Sequence, residues 1–168
     1  EPQKSFSIFA RSEYGEDTLA YPFFDDLPYN EYKSIVLRCS GQDRYMTKVR
    51  DVTMTSLMGE NTDLAVQAYT TCVVYLNGEY WGVYHIREKI TKYYLSQHYN
   101  VPIEDIDLLV GNGTAPAGSN EDYKKMLEFL ETHSLKDPEN YEYIKTQMDV
   151  ENYMDYVIAE IYFSNSDL

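Results

Sequence analysis

The apolar residues follow two different periods along the chain. In residues 4–10, Phe6 and Ile8 alternate with Ser5 and Ser7, as in a half-buried strand. Loop signals follow around Tyr14-Gly15, Pro22 and Pro28, and residues 34–38 form a short β-prone run. In residues 43–57, Met46, Val49, Thr53 and Leu57 lie near helical spacing, but the β-branched residues weigh against a helix. The clearest local signal is Asn77-Gly78, set between residues 66–76, rich in Val, Thr and Tyr, and residues 80–88. Both central residues of a type I′ turn need positive φ, so this stretch predicts a hairpin. Regular alternation along 80–88 puts Trp81, Val83 and His85 on one face, and Tyr80, Tyr84, Ile86 and Glu88 on the other.

Beyond residue 88 the period lengthens. Residues 89–99 predict a helix stopped by Asn100 and Pro102, and residues 106–110 a short strand. Residues 111–118, with three glycines, read as a loop. Ser119 and Asp122 resemble a capping box ahead of a stripe of Tyr123, Met126, Leu127 and Leu130. Asp137-Pro138 opens another helix, and Asp149 caps the last. In that last helix Val150, Tyr153, Met154, Val157, Ile158, Ile161 and Tyr162 form one stripe, expected to face a core. Strands first and helices after predict an α+β chain, with a strand-rich part over about 1–88 and a helical part over about 89–168.

The charge narrows the range of partners. Fourteen Lys and Arg against 28 Asp and Glu leave a net charge of −14. That speaks against nucleic acid and anionic membranes as partners and suits a basic protein segment. No apolar run approaches the length of a membrane span. Eighteen tyrosines supply rings with polar tips, suited to half-wet surfaces. The two cysteines, Cys39 and Cys72, permit a disulfide without implying one, and no CxxC pair suggests zinc.

Simple catalytic patterns are absent. His85, His98 and His133 have no metal-ligand spacing and read as structural or exposed. There is no G-x-S-x-G elbow. The 111–118 loop lacks the lysine of a phosphate-binding loop and reads mainly as a connector. The carboxylates between Asp137 and Glu160 lie mostly opposite the apolar stripes, as a solvated surface.

Four segments together carry more information. They are Pro2-Gln3-Lys4-Ser5-Phe6-Ser7-Ile8; Leu37-Arg38-Cys39-Ser40-Gly41-Gln42-Asp43 with Arg50-Asp51; residues 76–88, of the form Asn-Gly-x-Tyr-x-Gly-x-Tyr-x-x-x-Glu; and Asn165-Ser166-Asp167 after a long helix. In this order they resemble the CotH family, the spore-coat protein H type of atypical protein kinase. The resemblance implies an atypical protein-kinase-like α+β fold that uses ATP with Mg²⁺ or Mn²⁺ and phosphorylates Ser or Thr of a basic spore-coat or cell-surface protein. It makes Lys4 the strand lysine on the phosphates and Asp167 the aspartate that orients the attacking hydroxyl. It makes Glu88 a nucleotide-binding candidate, against the alternative of a glutamate favoured at a helix start. Arg50 and Asp51 are expected to pair internally. The family's metal-binding residues are expected after Leu168, so residues 1–168 alone are expected to be inactive. The alternative is a non-catalytic coat or surface module that binds a partner through its tyrosines.

Overall fold

The computed structural model describes residues 3–43 and 45–165. The chain is α+β, with strands first and helices after, and forms two units. One comprises Glu1–Asn61 and Ala65–Ile90, the other Thr62–Leu64 and Thr91–Leu168.

The first unit is built on an antiparallel sheet of β1 (Phe6–Phe9), β4 (Ser34–Arg38), β6 (Glu79–Glu88) and β5 (Tyr69–Leu76), in that spatial order. Two short strands, β2 (Leu19–Ala20) and β3 (Glu31–Tyr32), pair beside it, and helix α1 spans Arg50–Asn61. The β5–β6 hairpin turns at Asn77 and Gly78, with φ of 51° and 84°, as the Asn-Gly pair requires. The mixed pattern of residues 43–57 resolves into a turn followed by α1, whose helical phase starts only at Arg50.

The ladder shows what the alternation missed. Val74 pairs with Gly82 but Tyr75 pairs with Tyr80, so Trp81 is an extra residue, a β-bulge. Gly82, at φ 128°, takes the backbone conformation that the bulge needs. The bulge shifts the phase of the strand tip. Tyr80 joins the face of Tyr75, with ring centroids 5.8 Å apart, and Trp81 reaches the Tyr84 hydroxyl on the other. The expected grouping of Trp81 with His85, and of Tyr80 with Tyr84, is therefore reversed. From Gly82 to Glu88 the alternation is regular, with Tyr84, Ile86 and Glu88 on one face and Val83, His85 and Arg87 on the other.

The face of Tyr84 carries two buried clusters. Cys39, Val74 and Tyr84 pack with Phe6, Leu37 and Cys72. Phe24, Tyr32 and Ile35 pack with Phe23, Leu27, Tyr29, Ala68 and Ile86. Phe24 and Tyr32 meet edge-on at 5.4 Å, and Phe23 and Tyr32 at 5.7 Å, geometries the ring quadrupoles favour. Both cysteines are free thiols. Arg38 pairs with His85 and Cys72 with Tyr84, so Cys39 and Cys72 flank Tyr84 two strands apart. Two strand spacings come to about 9.5 Å, beyond the ~7 Å that a disulfide spans. Air oxidation of the folded protein should leave both thiols titratable in denaturant. An intramolecular bridge found by mass spectrometry would contradict this register.

The second unit contains α2 (Lys92–Tyr99), the hairpin β7 (Leu108–Val110) with β8 (Thr114–Ala117), and helices α3 (Glu121–Thr132), α4 (Pro138–Gln147) and α5 (Val150–Tyr162). Its caps match the sequence. The Asp137 carboxylate accepts from the Glu139 amide at 3.0 Å, and that of Asp149 from the Asn152 amide at 3.0 Å. Thr91 caps α2, and Asn100 ends it in the left-handed region at φ 53°. Helix α2 thus starts three residues later than the sequence predicts, because β6 and its exit occupy residues 88–91. The capping box expected at Ser119 and Asp122 does not form: Asn120 is the N-cap of α3 and makes no side-chain cap bond, while Ser119 Oγ, one residue earlier, accepts from the Glu121 amide at 3.1 Å.

One expectation is overturned. The α5 stripe does not face a core: Tyr153, Met154, Ile158, Ile161 and Tyr162 are exposed, Val150 and Val157 are half-buried, and Ala159 is the helix's buried residue. Periodicity marks the face a helix needs to cover and carries no information about what covers it.

Candidate functional site

Lys4 precedes β1 by two residues, and its side chain is exposed. Its main chain is fixed from beneath. The fully buried Tyr84 donates its hydroxyl to the Lys4 carbonyl at 2.8 Å. On either side, Ser5 Oγ accepts from the Cys39 amide at 3.2 Å, and Gln3 Nε2 donates to the Val83 carbonyl at 3.2 Å. Burial pushes the Tyr84 phenol pKa up, and hydrogen bonds from Trp81 and Gln3 oppose this. The exposed Lys4 side chain thus stands on an anchored main chain.

Glu88 ends β6 and is 2% exposed. Its Oε1 accepts from the Tyr29 hydroxyl at 2.7 Å and its Oε2 from the Ala68 amide at 3.0 Å. Its own amide donates to the Ala68 carbonyl at 3.2 Å, and its carbonyl accepts from Gln67 Nε2. Nearby, burial and then the Glu88 charge push the Tyr32 phenol up to about 12. The carboxylate therefore belongs to the sheet, and α2 starts four residues further on, at Lys92.

The segment of Arg38 to Asp51 organises the other face. Arg50 and Asp51 do not pair with each other. Asp51 accepts from Arg87, which is 3% exposed, and pairs with Arg38 at 3.3 Å. Arg50 instead lies 3.6 Å from the Met46 sulfur, and its amide donates to Asp43 at 3.0 Å. The reason is geometric, since neighbouring helical residues point in different directions. Arg87 also donates to Thr55 Oγ1 at 3.3 Å, so the guanidinium joins β6 to α1. Burial pulls the Arg87 pKa down, and the Asp51 charge works against that.

Two further residues hold this face together, and sequence reasoning gave neither of them a role there. The Asp43 carboxylate collects the Thr47 hydroxyl at 2.6 Å, the Thr47 amide at 3.2 Å and the Arg50 amide, capping α1 from outside. His85 lies buried with Nε2 2.8 Å from the Lys48 carbonyl and Nδ1 3.2 Å from Thr71 Oγ1. A carbonyl only accepts, so Nε2 carries a proton and donates to Lys48. The structural reading of His85 holds. The available signal was charged or polar residues within an otherwise apolar strand.

The Thr47 hydroxyl, chiefly, and the Arg50 amide hold the Asp43 carboxyl below its ordinary 3.8. A depressed folded-state value means that its contribution to stability is complete above that ordinary value and is lost as the pH falls through the lower one. Asp43→Asn should therefore unfold more readily at neutral pH and show a shallower loss of stability in acid. Acid titrations followed by circular dichroism, superimposable for the two proteins, would refute this role.

The loop expected over residues 111–118 is shorter: 111–113 turn the β7–β8 hairpin, and Thr114–Ala117 are strand β8 itself. Its neighbouring backbone groups are engaged internally: the Ser119 amide donates to Asp107 Oδ1 at 2.6 Å, and Asn120 Nδ2 to the Gly113 carbonyl at 2.8 Å. At the other end of this unit, the Asn165 amide donates to the Glu160 carbonyl at 3.0 Å, and its side chain to the Glu160 carboxylate. The first residue of Asn165-Ser166-Asp167 is thus folded back onto α5. Asp167 itself lies outside the described residues. Among the described residues no three His, Cys, Asp or Glu gather as a metal site, and no helix is long and apolar enough to cross a membrane.

The order of strands first and helices after is compatible with a kinase-like fold. The chain belongs to the CotH kinase protein family, whose model matches residues 1–168. No curated protein and no solved structure matches it.

Proposed function

We propose that the natural protein carrying this chain is a kinase-fold enzyme that transfers the γ-phosphoryl group of ATP to Ser or Thr of a basic protein segment, on a spore coat or cell surface. The observation that carries this reading is the family match over all 168 residues. The exposed Lys4 side chain on its anchored main chain supports it. In the reaction the hydroxyl oxygen bonds to the γ-phosphorus, the bond to the β-phosphate oxygen breaks, and ADP leaves. Asp167 orients that hydroxyl and accepts its proton. Lys4 offsets phosphate charge. Mg²⁺ or Mn²⁺ supplies further charge neutralisation when bound. The described residues offer it no ligand cluster. The charge of −14 attracts a Lys- or Arg-rich substrate.

The test is transfer from labelled ATP to a basic Ser-containing peptide by the natural protein. Lys4→Ala should lower kcat/KM for ATP by about 10- to 100-fold, the loss of one charge-assisted contact. Absence of both transfer and nucleotide binding in the wild type would overturn the reading. That outcome would favour the second reading, a binding module, which has its own support in the exposed Tyr14, Tyr45, Tyr75, Tyr80 and Tyr162.

A further inference from the structure

The chain returns to the first unit at Ala65 and leaves it after Ile90. Three residues past the return lies Ala68, and two residues before the exit lies Glu88. These two residues hold each other in a closed ring: the Glu88 amide donates to the Ala68 carbonyl, and the Ala68 amide donates back to Glu88 Oε2. Gln67 adds a third link, to the Glu88 carbonyl, and Tyr29 ties the remaining carboxylate oxygen to the loop before β3. Such a ring is unusual at the end of a ladder, where backbone pairing ordinarily frays. Here a side-chain carboxylate takes the amide that the ladder leaves over.

We propose that Glu88 is a positioning residue that clamps the returning and departing segments of the first unit together, setting the path of the chain on both sides of the sheet's end. Its carboxylate does this through Ala68 and Tyr29 rather than by touching a ligand. The inference rests on these hydrogen bonds and does not require the kinase reading. Where that reading holds, it changes the expected part of Glu88 from nucleotide contact to support.

The choice of variants separates the roles. In Glu88→Gln the amide oxygen can still accept from Ala68, and the NH₂ can donate to a Tyr29 hydroxyl turned to accept, so the clamp survives. In Glu88→Ala it does not. Amide hydrogen exchange of the natural protein should show Ala68 exchanging at least about tenfold faster in Glu88→Ala. The β1–β4 amides of Phe6 and Leu37 should be unchanged, and Glu88→Gln should restore protection. Tyr29→Phe should leave Ala68 protected, because it removes only the other link. If Glu88→Ala does not fold, Gln67→Ala takes its place, with a smaller and equally local rise. Unchanged exchange at Ala68 in a folded Glu88→Ala would overturn the clamp. So would loss of ATP binding in Glu88→Gln with Ala68 still protected, which would identify a direct ligand contact. Failure of the kinase reading would show separately, as absence of transfer by the wild type.

Discussion

Replacing Asp167 by alanine in the natural protein should lower phosphoryl transfer by about 10³-fold, within the range of a positioned general base. On the proposed mechanism the loss belongs mainly to kcat, because there the carboxylate acts on the hydroxyl as its proton leaves and contributes little to holding ATP. Lys4→Ala should do the reverse in emphasis, weakening the nucleotide's hold as well as the rate. Steady-state kinetics varying ATP and peptide separately distinguish the two. Nucleotide binding by Asp167→Ala, followed by calorimetry, should remain near wild type. A variant that transfers phosphate at more than a tenth of the wild-type rate would remove Asp167 from the mechanism.

The second large effect concerns stability. Asp51→Ala should cost about 3 kcal/mol, because it leaves the guanidinium of a nearly fully buried Arg87 without its counter-charge. Arg38→Ala, which removes the half-exposed partner of the same carboxylate, should cost under about 1 kcal/mol. Combining Asp51→Ala with Arg87→Met should recover much of the loss, since no buried charge then remains. Urea unfolding of the three proteins provides the measurement. Equal losses in Asp51→Ala and Arg38→Ala would mean that the buried pair is not the controlling term.

What the sequence revealed and what it hid divide along one physical line. The Asn77-Gly78 turn and the caps at Asp137 and Asp149 were legible because each depends on the conformation of a few consecutive residues. The partner of Asp51 was not. Arg50 is its neighbour in sequence, but Arg87, 36 positions away, is its partner in space. The α5 stripe was legible as a face and illegible as an environment, for the same reason. The candidate site divides likewise. Lys4 and Glu88 are singled out by motif alone, whereas the hold of Tyr84 on the Lys4 carbonyl and the hold of Ala68 on Glu88 are long-range facts.

The extra residue at Trp81 has a consequence for how this hairpin tolerates change. A regular ladder transmits a one-residue slip along its whole length, turning every side chain to the opposite face. Here the slip is already present and is absorbed at Gly82, above the stretch that carries Tyr84, Arg87 and Glu88. The tip and the base of the hairpin therefore keep separate time. The aromatic tip can be rewritten without re-phasing the base, and deleting Trp81 would merge the two into one regular ladder with Tyr80 still opposite Tyr75, on the face away from Tyr84.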